Sequence, residues 1–191
     1  MKNARRRSRE FALQALYQWQ ITETSAAELH NQYAAADGYA KADADLFVAL
    51  VKGAIGAADS LIEQLTPHLD RKWAEVSPVE RAIMLLAGYE MTAMPATPYR
   101  VIINEAIELA KSFGGTDGHK YVNGVLDKLA ATVRADEIAY QLATQTQMQA
   151  QIQAQAESAN PILPNSSTGK ASKAPIVTVK TRRATTPLAK S

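Results

Sequence analysis

Over residues 1–139 apolar side chains return every third or fourth position, and nowhere do they fall into the every-second-position alternation of a half-buried strand. That period restricts the chain to helices. Ala12, Leu13, Leu16, Trp19 and Gln20 follow it through a first helix predicted over residues 4–21, and Ser25 is placed to cap a short second one that ends near Asp37 and Gly38. Asp43 caps a predicted long helix whose stripe runs through Phe47, Leu50, Val51, Ala54, Ala58, Leu61, Ile62 and Leu65, with Thr66-Pro67 as its stop. Ser77-Pro78-Val79-Glu80 reads as the start of another, Ser77 capping, Pro78 at the first helical position and Glu80 closing a capping box. Its inward face is Ala82, Leu85, Leu86 and Tyr89. Thr97-Pro98 repeats that start for a stripe of Ile103, Ala106, Ile107 and Ala110, ended by Gly114. Thr116 or Asp117 opens the last, with Val122, Val125, Leu126 and Leu129 inward. Six or seven helices with one apolar stripe each must pack on one another, so the predicted fold is an all-α bundle.

From residue 140 the composition changes. Residues 141–155 are mostly Gln, Ala and Thr, able to extend a helix but without a sustained apolar face; residues 160–191 are rich in Pro, Ser, Thr and Lys. Such a segment buries too little to offset its ordering entropy. The expected organisation is one helical domain at 1–139 and a basic, low-complexity, disordered tail at 140–191.

The net charge of +2 conceals a segregation. Residues 1–9 carry five cations and no acid, residues 10–139 hold ten Lys and Arg against eighteen Asp and Glu, and residues 140–191 hold six against one. Two basic ends flank an acidic body. Clustered cations suit a polyanion, because they displace counterions from phosphates, although a solvated terminus has the same charge.

Several function classes drop out. No apolar run approaches the length of a membrane span, and the opening Lys2-Asn3-Ala4-Arg5-Arg6-Arg7-Ser8-Arg9 lacks the apolar region of a secretory signal, which favours the cytoplasm. Without cysteine there are no disulfides, thiolate metal sites or cysteine nucleophiles. His30, His68 and His119 stand far apart in the chain, and neither a dinucleotide fingerprint nor a phosphate-binding loop occurs. Glu105 and Glu108 lie one turn apart, but Lys111 follows, and ordinary ion pairing on a solvated face accounts for them. The sequence therefore predicts no enzyme, no metal and no cofactor.

Two clusters invite a ligand. Cations at the start of a helix oppose its dipole, so the arginines at 5, 6, 7 and 9 call for an anion or for fraying. Gly118-His119-Lys120-Tyr121 places a cation beside an aromatic at another helix start, a combination able to meet a phosphate and stack a base. The plainer reading has Tyr121 flanking the core and Lys120 solvated.

The blocks Ile103-Asn104-Glu105-Ala106-Ile107-Glu108-Leu109-Ala110-Lys111-Ser112-Phe113-Gly114 and His119-Lys120-Tyr121-Val122-Asn123-Gly124-Val125-Leu126-Asp127-Lys128 resemble the signature of the NusB family. The arginine run and Ala15-Leu16-Tyr17 match it in type and placement, so the resemblance spans about residues 2–134. It implies two three-helix subdomains and a transcription antitermination factor. Such a factor pairs with NusE, a small-subunit ribosomal protein, binds boxA RNA of nascent transcripts such as those of ribosomal RNA operons, and joins an antitermination complex on RNA polymerase. Carried over by position, Lys2, Arg5, Arg6, Arg7 and Arg9 would be the arginine-rich RNA-binding motif, and Lys120 and Tyr121 a second RNA patch. Tyr17 and Glu80 would meet NusE as part of an acidic surface, and Asp117 would lie in the loop that tunes assembly. Some members of the family self-associate through the RNA face, so the resemblance admits a homodimer without deciding the oligomeric state. Rival readings are a helical protein-binding adaptor, or a non-catalytic relative of the module preceding some RNA cytosine methyltransferase domains.

Overall fold

The structure, a computed structural model, describes residues 2–159, with the side chains of Lys2 and of residues 157–159 outside that description. Among the described residues there are eight α-helices and no strand: α1 (Lys2–Thr22), α2 (Ala26–Ala34), α3 (Ala44–Gly56), α4 (Ala58–Leu65), α5 (Pro78–Ala93), α6 (Tyr99–Phe113), α7 (Gly118–Val133) and α8 (Ala135–Ala159). The all-α expectation holds, and the eight exceed the six placed individually in the sequence by two, one of them α8.

The other additional helix comes from a break. The stretch expected as one long helix divides at Ala57 (φ −106°, ψ 11°), whose N–H donates to the carbonyls of both Gly53 and Ile55. Gly56, a poor helix former, directly precedes it. Leu61 and Leu65 remain buried across the break.

Helix starts follow local chemistry closely at two places and depart from it at two. Ser25 and Glu28 complete a capping box, and Asp43 accepts from the N–H of Leu46 at 3.0 Å. Ser77 accepts from the N–H of Glu80 at 3.2 Å, but the Glu80 carboxylate does not return to close the box. It lies instead against Gly118, where a β-carbon would come within 2.7 Å of its Oε1. Thr97 does not cap α6 either. The first N–H of α6, that of Tyr99, is met by Glu137 of α8 at 3.2 Å, and the Thr97 hydroxyl accepts from Arg5.

Helices α1, α2 and α3 pack on one another, and α5, α6 and α7 form a second set of three. The sets share one core, because α5 also packs against α1 and α3. The predicted stripes are its substance: Leu16, Phe47, Leu50, Leu126 and Ala110 are fully enclosed. Burying each of the larger ones contributes about 1.5–3 kcal/mol. Where α3 meets α5 the end of the Tyr89 ring lies directly on Gly53, and a β-carbon there would have to displace it.

One arginine locks the joint before α6. Arg134 donates to the carbonyls of Met91 (2.6 Å) and Met94 (3.0 Å) and pairs with Glu137 at 2.9 Å, closing the C-terminus of α5. That joint carries Thr97, and so the partner of Arg5.

The helical body is a compact unit that extends to Met148. The boundary expected at 139/140 falls within α8, so the Gln-, Ala- and Thr-rich segment is helical as far as Ala159. The disorder expected of residues 160–191 lies outside the described residues. No described helix is long and apolar enough to cross a membrane.

Candidate nucleic-acid interface

The arginine run divides by the turn of α1. Ser8 and Arg9 face inward. Ser8 donates to the carbonyl of Asp43 at 2.7 Å and accepts from the N–H of the same residue at 2.9 Å, which ties the start of α1 to the cap of α3. Arg9 is only 4% exposed and makes a two-pronged bond to the buried Glu90, Nε to Oε2 at 2.9 Å and Nη2 to Oε1 at 2.5 Å, with Glu105 3.8 Å away. Burial works against its charge, but the hydrogen bond and the charges of Glu90 and Glu105 outweigh it and hold the guanidinium more firmly protonated than usual. Arg9 therefore does not belong with the RNA-facing arginines that the sequence suggested. Its charge is spent inside the fold.

Arg5, Arg6 and Arg7 remain at the surface. Arg6 is shared between Glu10 (3.4 Å) and Glu108 (3.8 Å), and Glu108 also binds Lys111 at 2.8 Å. That lysine's hydrogen bond, then its charge and that of Arg6, keep the Glu108 carboxyl below its ordinary range. Arg5 donates to the Thr97 hydroxyl at 3.2 Å, and Nη1 of Arg7 lies beside Gly38. Among the described residues neither Arg5 nor Arg7 has a carboxylate partner. They are the open cations of the run, and both sit at the positive end of α1. Lys2 belongs to the same first turn, with its side chain outside the description.

The start of α7 forms the second cluster. Lys120 is well exposed and held by Asp117 at 2.8 Å, a pair of little energetic weight at such exposure. Tyr121 is half-buried, packed against the core, with its hydroxyl oxygen buried and close to Asp70. Burial and then the charge of Asp70 push its pKa above the ordinary value. Its ring is not bare: the Arg71 guanidinium covers it at 4.7 Å and is itself oriented by Asp70 through hydrogen bonds of 2.8 and 3.2 Å. The plain and functional readings of Tyr121 thus both describe part of the residue. Arg71, which the sequence reading passed over, supplies the outward plane. Its only sequence signal was a basic pair, Arg71-Lys72, between two helices.

Arg71, Glu80, Asp117 and Tyr121 share one cleft of about 260 Å³ with the Gly115–Gly118 loop. Two residues expected to face a protein partner, Glu80 and Asp117, therefore stand beside the second RNA patch. Tyr17 does not join them. It lines a separate groove of about 500 Å³ with Leu13, Ile21, Tyr33, Val79 and Phe113. The surface around Tyr17 is apolar, not acidic, and the exposed Tyr17, Ile21 and Phe113 are its substance. Ile21 and Phe113 went unnoticed in the sequence because each occupies the end of a helix, where apolar periodicity carries no direction. No group of three or more acidic or histidine side chains among the described residues is placed to hold a metal.

Comparison with known proteins follows the same outline. The model of the NusB family matches residues 6–131. A transcription antitermination protein NusB from Dechloromonas aromatica is 55% identical over 138 residues, covering 72% of this chain and 85% of its own length. One from Burkholderia lata is 57% identical over 136 residues, covering 71% and 94%. Among solved structures, T. maritima NusB aligns with a TM-score of 0.59 at 31% identity, covering 69% of this chain and 94% of that one. The structure of antitermination factors NusB and NusE in complex with dsRNA aligns with a TM-score of 0.58 over 68% of this chain and 97% of that one; at 21% identity the likeness is one of fold.

Proposed function

Because the chain belongs to the NusB family, we propose that it is a transcription antitermination factor, a binding protein and not an enzyme, that engages boxA-type RNA together with NusE. The observation that carries the RNA half is the pair Arg5 and Arg7 at the start of α1, which have no carboxylate partner among the described residues, whereas Arg6 and Arg9 of the same run are both paired. Arg6, Lys2 and Lys120 extend the basic rim. At the second patch a base stacks on the Arg71 guanidinium above Tyr121, since a planar guanidinium is as good a platform as an aromatic ring. Asp117 restrains Lys120 and so sets how freely that cation meets phosphate.

NusE takes the groove around Tyr17. Its apolar lining supplies the desolvated contact, while Glu80, whose carboxylate lies against Gly118 in the α7 cleft, stands outside it. Docked there, NusE leaves the start of α1 and the α7 cleft open to RNA, and the pair joins the antitermination complex on RNA polymerase in the cytoplasm. A homodimer built on the RNA face would compete with RNA and dissociate as RNA binds.

The test is a titration of labelled boxA RNA and of a scrambled sequence, with and without NusE. Binding that strengthens with NusE, prefers boxA and weakens steeply as salt rises supports the reading. Equal binding of both RNAs with NusE present overturns it.

A further inference from the structure

Both tryptophans of the chain, Trp19 and Trp73, line one cleft of about 430 Å³ between the end of α1, the start of α5 and the loop after α4. Two further features converge there. Arg81, on its wall, has no carboxylate partner among the described residues. A guanidinium left without a carboxylate can take an anionic oxygen from a ligand in the cleft. Glu23, at the rim, has φ of 55°, the only left-handed backbone among the described residues other than glycine. Glycine or asparagine is the usual occupant of such a position at a helix end. The Gln20 amide points its Nε2 at the carbonyls of Leu16 (3.3 Å) and Pro78 (3.1 Å), which leaves its oxygen as an acceptor.

The set is specific in chemistry. Two indoles offer flat apolar faces, Arg81 offers a donor to an anionic or carbonyl oxygen, and Glu23 and Gln20 offer acceptors to N–H groups. A nucleotide has all three complements. The cleft and the RNA patch share no lining residue but are neighbours along the chain, because Trp73 follows Arg71 by two residues, at most about 7 Å of chain, and Arg81 follows Glu80 on α5.

We infer that this cleft is a nucleotide subsite, in which an unstacked base of RNA leaving the Arg71–Tyr121 platform lies against Trp73 and Trp19, its N–H edge towards Glu23 and a phosphate or carbonyl oxygen on Arg81. This rests on the RNA-binding reading above.

The tryptophans make the test direct, since indole emission reports this cleft alone while the anisotropy of end-labelled boxA RNA reports binding anywhere. The expected result with the full chain is that emission changes saturably along the anisotropy curve. Trp73→Ala weakens binding by at least about five-fold, the equivalent of about 1 kcal/mol of base stacking. Trp73→Phe retains the affinity, and Arg81→Gln lowers it with helicity unchanged, which keeps the test open if Trp73→Ala fails to fold. Arg7→Ala weakens binding but preserves the emission change at saturation. RNA binding without an emission change overturns the subsite and leaves the antitermination reading standing. Absence of RNA binding by the unsubstituted chain overturns both. An emission change produced by NusE and not by RNA assigns the cleft to a protein and overturns the nucleotide.

Discussion

Arg5 and Arg9 lie one turn apart on the same face of α1, and their fates are opposite. Arg9 is enclosed and locked onto Glu90, 81 residues away, while Arg5 reaches the surface and, among the described residues, bonds only the Thr97 hydroxyl. The same side chain serves as a structural bolt in one case and as an open charge in the other. A basic run is thus not a unit of function: each charge must be assigned by what stands opposite it.

The largest effect that separates the two ends is on stability. Arg9→Ala leaves Glu90 buried and unpaired and is expected to cost about 3–5 kcal/mol in urea unfolding. Replacing the pair together, Arg9→Met with Glu90→Leu, is expected to restore most of that, and a loss under about 1 kcal/mol for Arg9→Ala alone would remove the contrast. Next comes Tyr121→Ala, expected to lower RNA affinity by about 1–3 kcal/mol through loss of the stacking platform. An equal fall in affinity for NusE, measured by calorimetry, would show a folding defect instead. Replacing Arg5 and Arg7 by alanine is expected to leave stability within about 0.5 kcal/mol. It should flatten the dependence of log K on log salt by about 0.7 for each phosphate left without its cation. An unchanged slope would take these residues out of the interface. The smallest change is Glu108→Gln, which releases Arg6 from one of its two carboxylates and is expected to strengthen RNA binding slightly with no change in fold. Weaker binding would mean that Glu108 itself serves the site.

Much of the fold was legible because its signals are local. The stripes through Phe47–Leu65 and Val122–Leu129 face the core as their spacing predicts, and Ser25, Asp43 and Ser77 cap where they should. The exceptions are informative. The division at Ala57 was hidden because the apolar stripe continues in register across it. Glu80 has the right spacing for a capping box, yet its carboxylate turns to Gly118, a neighbour that spacing cannot reveal. At the candidate site the residue types were legible and the groupings were not. Tyr17 and Glu80, paired by resemblance, line different clefts, and Arg71 stands out only once its guanidinium is seen over Tyr121.

The order of amino acids alone determined that this chain is helical, where most helices begin, and that its charge is divided between a basic start and an acidic body. Those properties depend on neighbours within a turn or two, where period, caps and composition act directly. Which arginines are open, which carboxylates neutralise them and which aromatics share a cleft were decided only by tertiary packing. Burial and pairing join residues that are distant in sequence, and the cost of an unpaired buried charge selects partners that no local pattern names.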